Sequence, residues 1–277
     1  MNQKTGPNKR QLNREIAIGT MSIAKTGFYK EPNIGKEVYL DLESDRMVTY
    51  YLNDTGEEQK ATVSRPSFNT KTIVTPDDTV TAIFNHNSPD KLAVLNFASA
   101  KRPGGGFLSG ANAQEESLAR SSTLICSIGN DAAKVMYETN QRRDTKGIYT
   151  DAMLFSPSVS FFRNADGVLI SQPVTTSVIT APAVNKTVAG KSATNEAIRK
   201  VMRARMRHLF DIAIINGKTD LLLGAWGCGV FGNDPNDVAN DFKQVLSEDP
   251  YKNAFENIQF AIPGNFTQTL MAFKKVF

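Results

Sequence analysis

The apolar positions of this 277-residue chain fall into two patterns: the three-to-four residue repeat of helices and the short continuous runs of buried strands. In residues 14–27, Ile16, Met21, Ile23 and Ala24 keep a helical spacing, and Gly27 is placed to end it. Residues 36–41 and 47–53 read as strands or strand–helix pieces, and Gly56, Glu57 and Glu58 as a turn. Residues 62–75 read as irregular, with Pro66 inside and Pro76 just beyond. The cap signal Thr75-Pro76-Asp77-Asp78 predicts a helix opening at Thr79. A buried strand follows at 92–97, then helices at 117–128 and 132–140. Residues 152–156 and 158–162 read as two short strands parted by Pro157, with Asp166-Gly167 as a turn. A β-rich run at 175–181 stops at Pro182. The longest helical stripe spans 194–216, before a strand at 221–223, a helix at 238–246, a strand at 258–262 and a last helix at 266–277. Such alternation predicts an α/β chain, with a mixed central sheet between helices. Residues 76–277 are assigned to the main domain. Residues 1–75 are assigned to an accessory segment packed on it, with residues 1–13 a lead-in without fixed structure.

Composition narrows this picture without changing it. A chain 40% hydrophobic and 22% charged, with net charge +4, is an ordinary globular protein. No run approaches the ~18 apolar residues of a membrane span, so no membrane partner is expected. Cys126 and Cys228 are the only cysteines, which predicts free thiols in a reducing cytoplasm. His86 and His208 stand in no recognisable motif with them, so neither a nucleophilic cysteine nor a metal site is expected. Arg199, Lys200, Arg203, Arg205 and Arg207 interleave with an apolar stripe and read as a solvated helix face. Direct nucleic-acid binding is therefore not expected, and a monomer is. Lys4, Lys9, Arg10 and Arg14 give the lead-in a weak affinity for polyanions.

The chemistry concentrates at residues 93–123. After the strand come Gly104, Gly105 and Gly106, then seven residues, then Gln114, Glu115 and Glu116 at a helix start. Three glycines make poor helix and poor strand; they belong where backbone passes close to something or turns with positive φ. Two carboxylates in a helix's first turn face its positive end and unpaired N–H groups. Neither a phosphate-binding P-loop nor a dinucleotide fingerprint has this spacing. Taken alone, the pattern also fits a flexible turn before an acidic cap.

A second loop repeats the layout. After Leu221–Leu223 comes Gly-Ala-Trp-Gly-Cys-Gly-Val-Phe-Gly over residues 224–232. Its glycines allow successive N–H groups to converge on an anion, and a helix start near Asp237 adds its dipole. Phe231 is free to stack on a ribose or base, and Trp226 reads as a packing residue. Two glycine loops at one sheet edge, one acidic and one anion-binding, suit a ligand with a central diphosphate and a reacting ribose.

Gly-Gly-Gly, seven residues, then Gln-Glu-Glu resembles the signature of the poly(ADP-ribose) glycohydrolases, in their compact microbial-type branch. The flanks Val94–Ser99 and Ser117–Ser122, the segment Pro182–Asn185 and the second glycine loop resemble it too. The resemblance covers residues 12–277 and implies a macrodomain-like three-layer α/β/α fold, with the N-terminal accessory segment before it. It implies hydrolysis of the ribose–ribose O-glycosidic bond of poly(ADP-ribose), carried by ADP-ribosylated proteins, with ADP-ribose released and no cofactor or metal.

Carried over residue by residue, it makes Glu116 the proton donor and then the base, with a pKa raised by burial and by its neighbour. Glu115 holds ribose hydroxyls, and its carboxylate projects away from that of Glu116. Asn96 orients the distal ribose, Gly104, Gly105 and Gly106 crowd the diphosphate, and Gln114, Gly227, Cys228, Gly229, Val230 and Phe231 complete the substrate site. The N-terminal segment is expected to cover the adenosine ribose, which confines cutting to the free chain end. Two other activities keep the same loops. One is a hydrolase of mono-ADP-ribosylated protein or nucleic acid. The other is a non-catalytic ADP-ribose binder, which has no need of Gln114, Glu115 and Glu116.

Overall fold

The computed structural model describes residues 8–52 and 67–277. The turn at residues 56–58 and the first seven residues of the lead-in lie outside the described residues. Helix α1, Lys9–Thr26, opens on Asn8, whose side chain accepts from Arg10 N, and closes on Gly27 in the left-handed region. Residues 9–13, assigned to a lead-in without fixed structure, are thus its first turn. Beyond it, β1 (Phe28–Lys30) pairs with β2 (Glu37–Tyr39) as a separate ribbon, followed by the one-turn α2 (Leu42–Asp45).

The central sheet draws on β3 (Thr49–Tyr51), β4 (Lys71–Thr75) and β5 (Leu92–Phe97), with α3 (Thr79–Phe84) between the last two. Helix α3 is capped by Asp78, which accepts from Thr81 N. Next come α4 (Gln114–Ser121), α5 (Leu124–Ile128) and α6 (Asp131–Arg142), then the long β6 (Met153–Arg163) and β7 (Leu169–Ala181). The chain ends through α7 (Lys186–Ala189), α8 (Asn195–Ile215), β8 (Asp220–Leu223), α9 (Pro235–Leu246), β9 (Asn257–Ala261) and α10 (Thr267–Val276). The sheet order is β3-β6-β7-β5-β8-β9-β4. The pairs among β7, β5, β8, β9 and β4 are parallel, while β6 runs antiparallel to both β7 and β3.

Four differences from the sequence pattern have local causes. Residues 71–75, expected to be irregular, form β4, because β9 offers a parallel edge from Asn257 to Ala261. Strands β3 and β4 are the two edges of the main sheet, so the accessory segment is not a separate layer along its whole length. The helix expected over 117–128 breaks in two where Ser122 adopts an extended conformation and bridges Phe161. Pro157 does not end a strand. It sits in a bulge of one continuous β6, where the register against β7 shifts between Ser156 and Val159.

Alternation along the strands sorts the core into two layers. Ala93, Leu95, Ile179, Leu221, Leu223 and Phe260 face α8, α9 and α10. Leu92, Val94, Val178 and Leu222 face the layer built from α3 to α6. Asn96 shares the second face and points toward α4, where an apolar residue would be expected. Arg205 corrects the solvated-face expectation for α8, since it is buried and its guanidinium reaches Asp151 and three backbone carbonyls. Arg199, Arg203 and Arg207 pair with Asp241, Glu196 and Glu248.

Candidate active site

Strand β5 lies mid-sheet between β7 and β8, so the loops leaving the carboxyl ends of β5 and β8 rise side by side. Between them opens a cavity of about 1140 Å³. It is lined by Ser99 and Glu115–Ser117 on one side and by Ala225–Phe231 on the other.

The acidic side is built from backbone donors. Gly104 and Gly105 take φ of 68° and 57°, which turns the loop back beneath the first turn of α4. Glu115 is buried and its Oε2 accepts from Ser99 N at 2.7 Å. Glu116, half-buried, accepts from Gly106 N at 2.9 Å and from Ala113 N at 3.0 Å, the second bond closing the N-terminal turn of α4. Both carboxylates converge above Gly105, where any Cβ would lie 3.0 Å from Glu115 Oε2 and nearer still to Glu116 Oε1. The expectation that they project apart is therefore corrected. Of the two, Glu115 is the one fully buried. Burial raises the Glu115 pKa to about 8, against the opposing hydrogen bond from Ser99, with the Glu116 charge adding to the rise.

Asn96 does not line the cavity. It is fully buried behind Glu115, with Nδ2 at 3.5 Å from Glu115 Oε1 and 3.2 Å from Thr180 Oγ1. Gln114 reaches the cavity wall, yet its amide is committed to the scaffold. Oε1 accepts from Phe97 N at 2.9 Å, and Nε2 donates to Leu95 O at 2.8 Å and Thr79 Oγ1 at 3.3 Å. Gln114 thus pins the start of α4 to the end of β5 and fixes where Glu115 and Glu116 sit.

The opposite loop turns through Gly227 and Gly232, both at positive φ. At Gly227 a Cβ would lie 2.6 Å from Asn233 Nδ2 and 2.7 Å from Ala183 Cβ, so only glycine fits. Asn233 Nδ2 donates to Val184 O and Gly227 O, tying the loop down at its base. At the tip, Gly229 and Val230 are exposed, and a Cβ on Gly229 meets nothing within 4 Å. Among the described residues, the N–H groups of Gly229, Val230 and Phe231 have no acceptor, which leaves three successive donors for an anion. The dipole expected from α9 is not available there, because Asp234 caps that helix and accepts from Asn236 N and Asp237 N. Trp226 is buried and donates to Ala181 O. The Cys228 thiol is pushed upward by burial, which keeps it an unreactive thiol. Phe231 is half-buried and packs at 6.1 Å, centroid to centroid, on Tyr149, a non-glycine residue at φ 65°.

Three groups of wall residues escaped the sequence pattern. At the β9–β4 end the cavity is lined by Asp78–Val80, Pro263, Asn265, Phe266 and Thr269. The Pro263-Gly264 pair signalled only a strand stop there. Behind the acidic loop, Arg120 donates to Ala111 O and to Asn112 Oδ1, holding the residues that lead into α4. At the acidic end, Lys9, Leu12, Asn13 and Ile16 of α1 complete the wall. The N-terminal segment, as far as it is described, therefore reaches the cavity beside the carboxylates.

Comparison with known proteins agrees with this geometry. The family model described as the microbial-type PARG catalytic domain, PARG being poly(ADP-ribose) glycohydrolase, matches residues 17–164. The crystal structure of poly(ADP-ribose) glycohydrolase from Thermomonospora curvata is similar at 35% identity with a TM-score of 0.89, covering 96% of this chain and 99% of that one. A second structure of that enzyme, bound to the inhibitor ADP-HPD, has a TM-score of 0.86 at the same identity and coverage. The enzyme from Deinococcus radiodurans in complex with ADP-ribose is 37% identical with a TM-score of 0.76, covering 86% of this chain and 98% of that one. No curated relative matches the chain.

Proposed function

The chain belongs to the microbial-type poly(ADP-ribose) glycohydrolase family, and from that premise we propose how its site hydrolyses the ribose–ribose O-glycosidic bond of poly(ADP-ribose). The observation that carries the assignment of roles is the convergence of Glu115 and Glu116 above Gly105, at one end of a cavity whose facing wall is a row of free N–H groups. The diphosphate of the terminal unit lies along Gly229–Phe231, its adenosine extends toward Val80 and Phe266, and its reacting ribose meets the carboxylates.

Glu115, buried and largely protonated below pH 8, holds ribose hydroxyls. Asn96 supports Glu115 from behind. Glu116, the more open of the two, delivers a proton to the departing ribose oxygen. The C1–O bond breaks with its electron pair passing to that oxygen, and positive charge develops on the ribose ring. Water then adds to C1 and returns a proton to Glu116. One water is consumed, one ADP-ribose is released and the chain shortens by one unit.

With Pro263, Asn265, Phe266 and Thr269 lining the far end of the cavity, we place cutting at the free chain end. Two cysteines with no disulfide fit a reducing cytoplasm. Polymer digestion by the wild-type chain and by Glu116→Gln is the direct test: ADP-ribose release is expected from the first only. Equal release by both would remove Glu116 from the mechanism.

A further inference from the structure

We propose that α1 forms a subsite for the adenosine of the unit that leaves, the penultimate unit of the polymer; this rests on the glycohydrolase reading above. The unit being released occupies the carboxyl edge from Glu116 toward Phe266. The oxygen that Glu116 protonates therefore belongs to the unit on the other side, and the wall there is α1. Lys9, Leu12 and Ile16 line the cavity from this helix, and Ala165, Asp166 and Gly167 of the β6–β7 turn line it from beside it. At about 1140 Å³ the cavity exceeds the ~300–1,000 Å³ usual for a single small ligand.

The chemistry of the wall matches a nucleoside phosphate. Leu12 and Ile16, one turn apart, give an apolar strip for a purine face, and Leu12 keeps 43% of its surface exposed. Lys9, one turn before Leu12 and exposed, offers a cation to the attached phosphate. Asp166 offers an acceptor to an amine or hydroxyl. The platform is fixed in place by bonds that do not involve Lys9 or Leu12. Arg10 Nε donates to Ser109 O at 3.0 Å, Asn13 Nδ2 donates to Gly110 O and Asn112 Oδ1, and Thr20 Oγ1 donates to Arg120 O at 2.6 Å. Helix and catalytic loop are thus tied to each other. Gly110 is the contact point, at φ 79°, with no room for a Cβ against Arg10 O.

The test compares two substrates that differ only in what leaves. Long polymer loses an adenosine-bearing unit, whereas the 4-nitrophenyl glycoside of ADP-ribose loses a small phenol. In the double variant Lys9→Glu with Leu12→Asp, KM for polymer is expected to rise about ten-fold with kcat within two-fold. Turnover of the aryl glycoside, and ADP-ribose affinity by calorimetry, are expected within two-fold of wild type. The single change Lys9→Arg is expected to keep the wild-type KM. Equal losses on both substrates would mean that α1 only holds the catalytic loop, and an unchanged polymer KM would mean that no subsite exists; either overturns the proposal while the glycohydrolase reading stands. A wild-type chain that releases no ADP-ribose from polymer overturns both.

Discussion

Glu116 rests directly over Gly105, so close that a side chain at Gly105 would have to begin inside the contact radius of Glu116 Oε1. Glu115 Oε2 is 3.0 Å from the same point. The glycine therefore has two reasons to be there, its φ of 57° and the space the carboxylates need. Gly105→Ala is expected to cost about 1–2 kcal/mol in backbone strain, a fall in Tm of roughly 2–4 °C per kcal/mol in a domain of this size. The loss of turnover is expected to be far larger, about 100-fold or more, because both carboxylates must shift. Melting curves beside steady-state kinetics separate the two effects, and retained turnover would show that the carboxylates do not depend on this contact.

Glu116→Gln keeps the shape and removes the proton. Gly106 N donates to Oε1 and Ala113 N to Oε2, so a glutamine keeps one of these two bonds and turns its amide group toward the other N–H. Hydrolysis is expected to drop by roughly the 10²–10⁴-fold that a positioned acid–base supplies, with ADP-ribose affinity within about three-fold. Calorimetry alongside the digestion assay reads both quantities on one sample. If affinity falls as steeply as turnover, Glu116 is a binding residue instead.

Glu115 predicts a pH dependence with a definite sign. Its folded pKa of about 8 lies above the ordinary 4.5 of an exposed glutamate. The stability associated with its protonated form is complete below pH 4.5 and is lost as pH rises through 8. Glu115→Gln removes that penalty, so the variant is expected to gain on wild type as pH rises, by a few kcal/mol in order of magnitude at pH 9, with no gain at pH 4. Its ADP-ribose affinity is expected to suffer more than that of Glu116→Gln. Thermal melts at the two pH values decide the stability claim, and a gain independent of pH would contradict it. In wild-type enzyme, activity is expected to decline as pH rises past 8.

The sequence carried the fold because its signals are local: Asp78 and Thr194 cap their helices, and β5, β7, β8 and β9 are bounded runs of apolar residues. Gly104–Gly106 and Gln114–Glu116 located the site for the same reason. What it did not carry are properties made by distant chain. Burial of Glu115 depends on Ser99 and Asn96, and neither glutamate announces which of the two will be the deeper. The commitment of Gln114 to Phe97 N and Leu95 O needs β5 beneath it. A strand such as β4, with exposed Lys71 and Ile73, owes its form to pairing with β9 more than to its own pattern. Arg205 looked like a surface charge because the carbonyls it satisfies lie in another loop.

That loop links Arg205 to the ligand wall. Arg205 donates to Asp151, Ile148 O, Tyr149 O and Pro182 O, and so holds Tyr149 in its left-handed conformation against Phe231. Lysine keeps the charge but lacks the planar fork. Arg205→Lys is expected to weaken ADP-ribose binding several-fold by loosening Phe231, and Phe231→Ala to weaken it about ten-fold. In the double variant the two losses are expected to fall short of additive, since they act through one ring. Full additivity in calorimetry would place the effect of Arg205 elsewhere.

Where the polymer is cut depends on whether a chain can leave the adenosine end of the cavity. In the proposed placement the adenosine of the released unit points toward Val80 and Phe266, and a polymer continuing beyond it would need an exit past Pro263, Asn265 and Thr269, which line that end. An enzyme closed at that end accepts only a terminal unit. Digestion of long polymer is then expected to yield ADP-ribose monomer from the first time points while long chains persist. Short oligomers appearing early would show that the wall opens and that internal bonds are reached. The protein-linked unit poses a different demand, because its leaving group is an amino-acid side chain with no adenosine to lie on α1. Mono-ADP-ribosylated protein is expected to keep that last unit under conditions that consume the polymer, and its removal at a comparable rate would show that the leaving group is not discriminated at all.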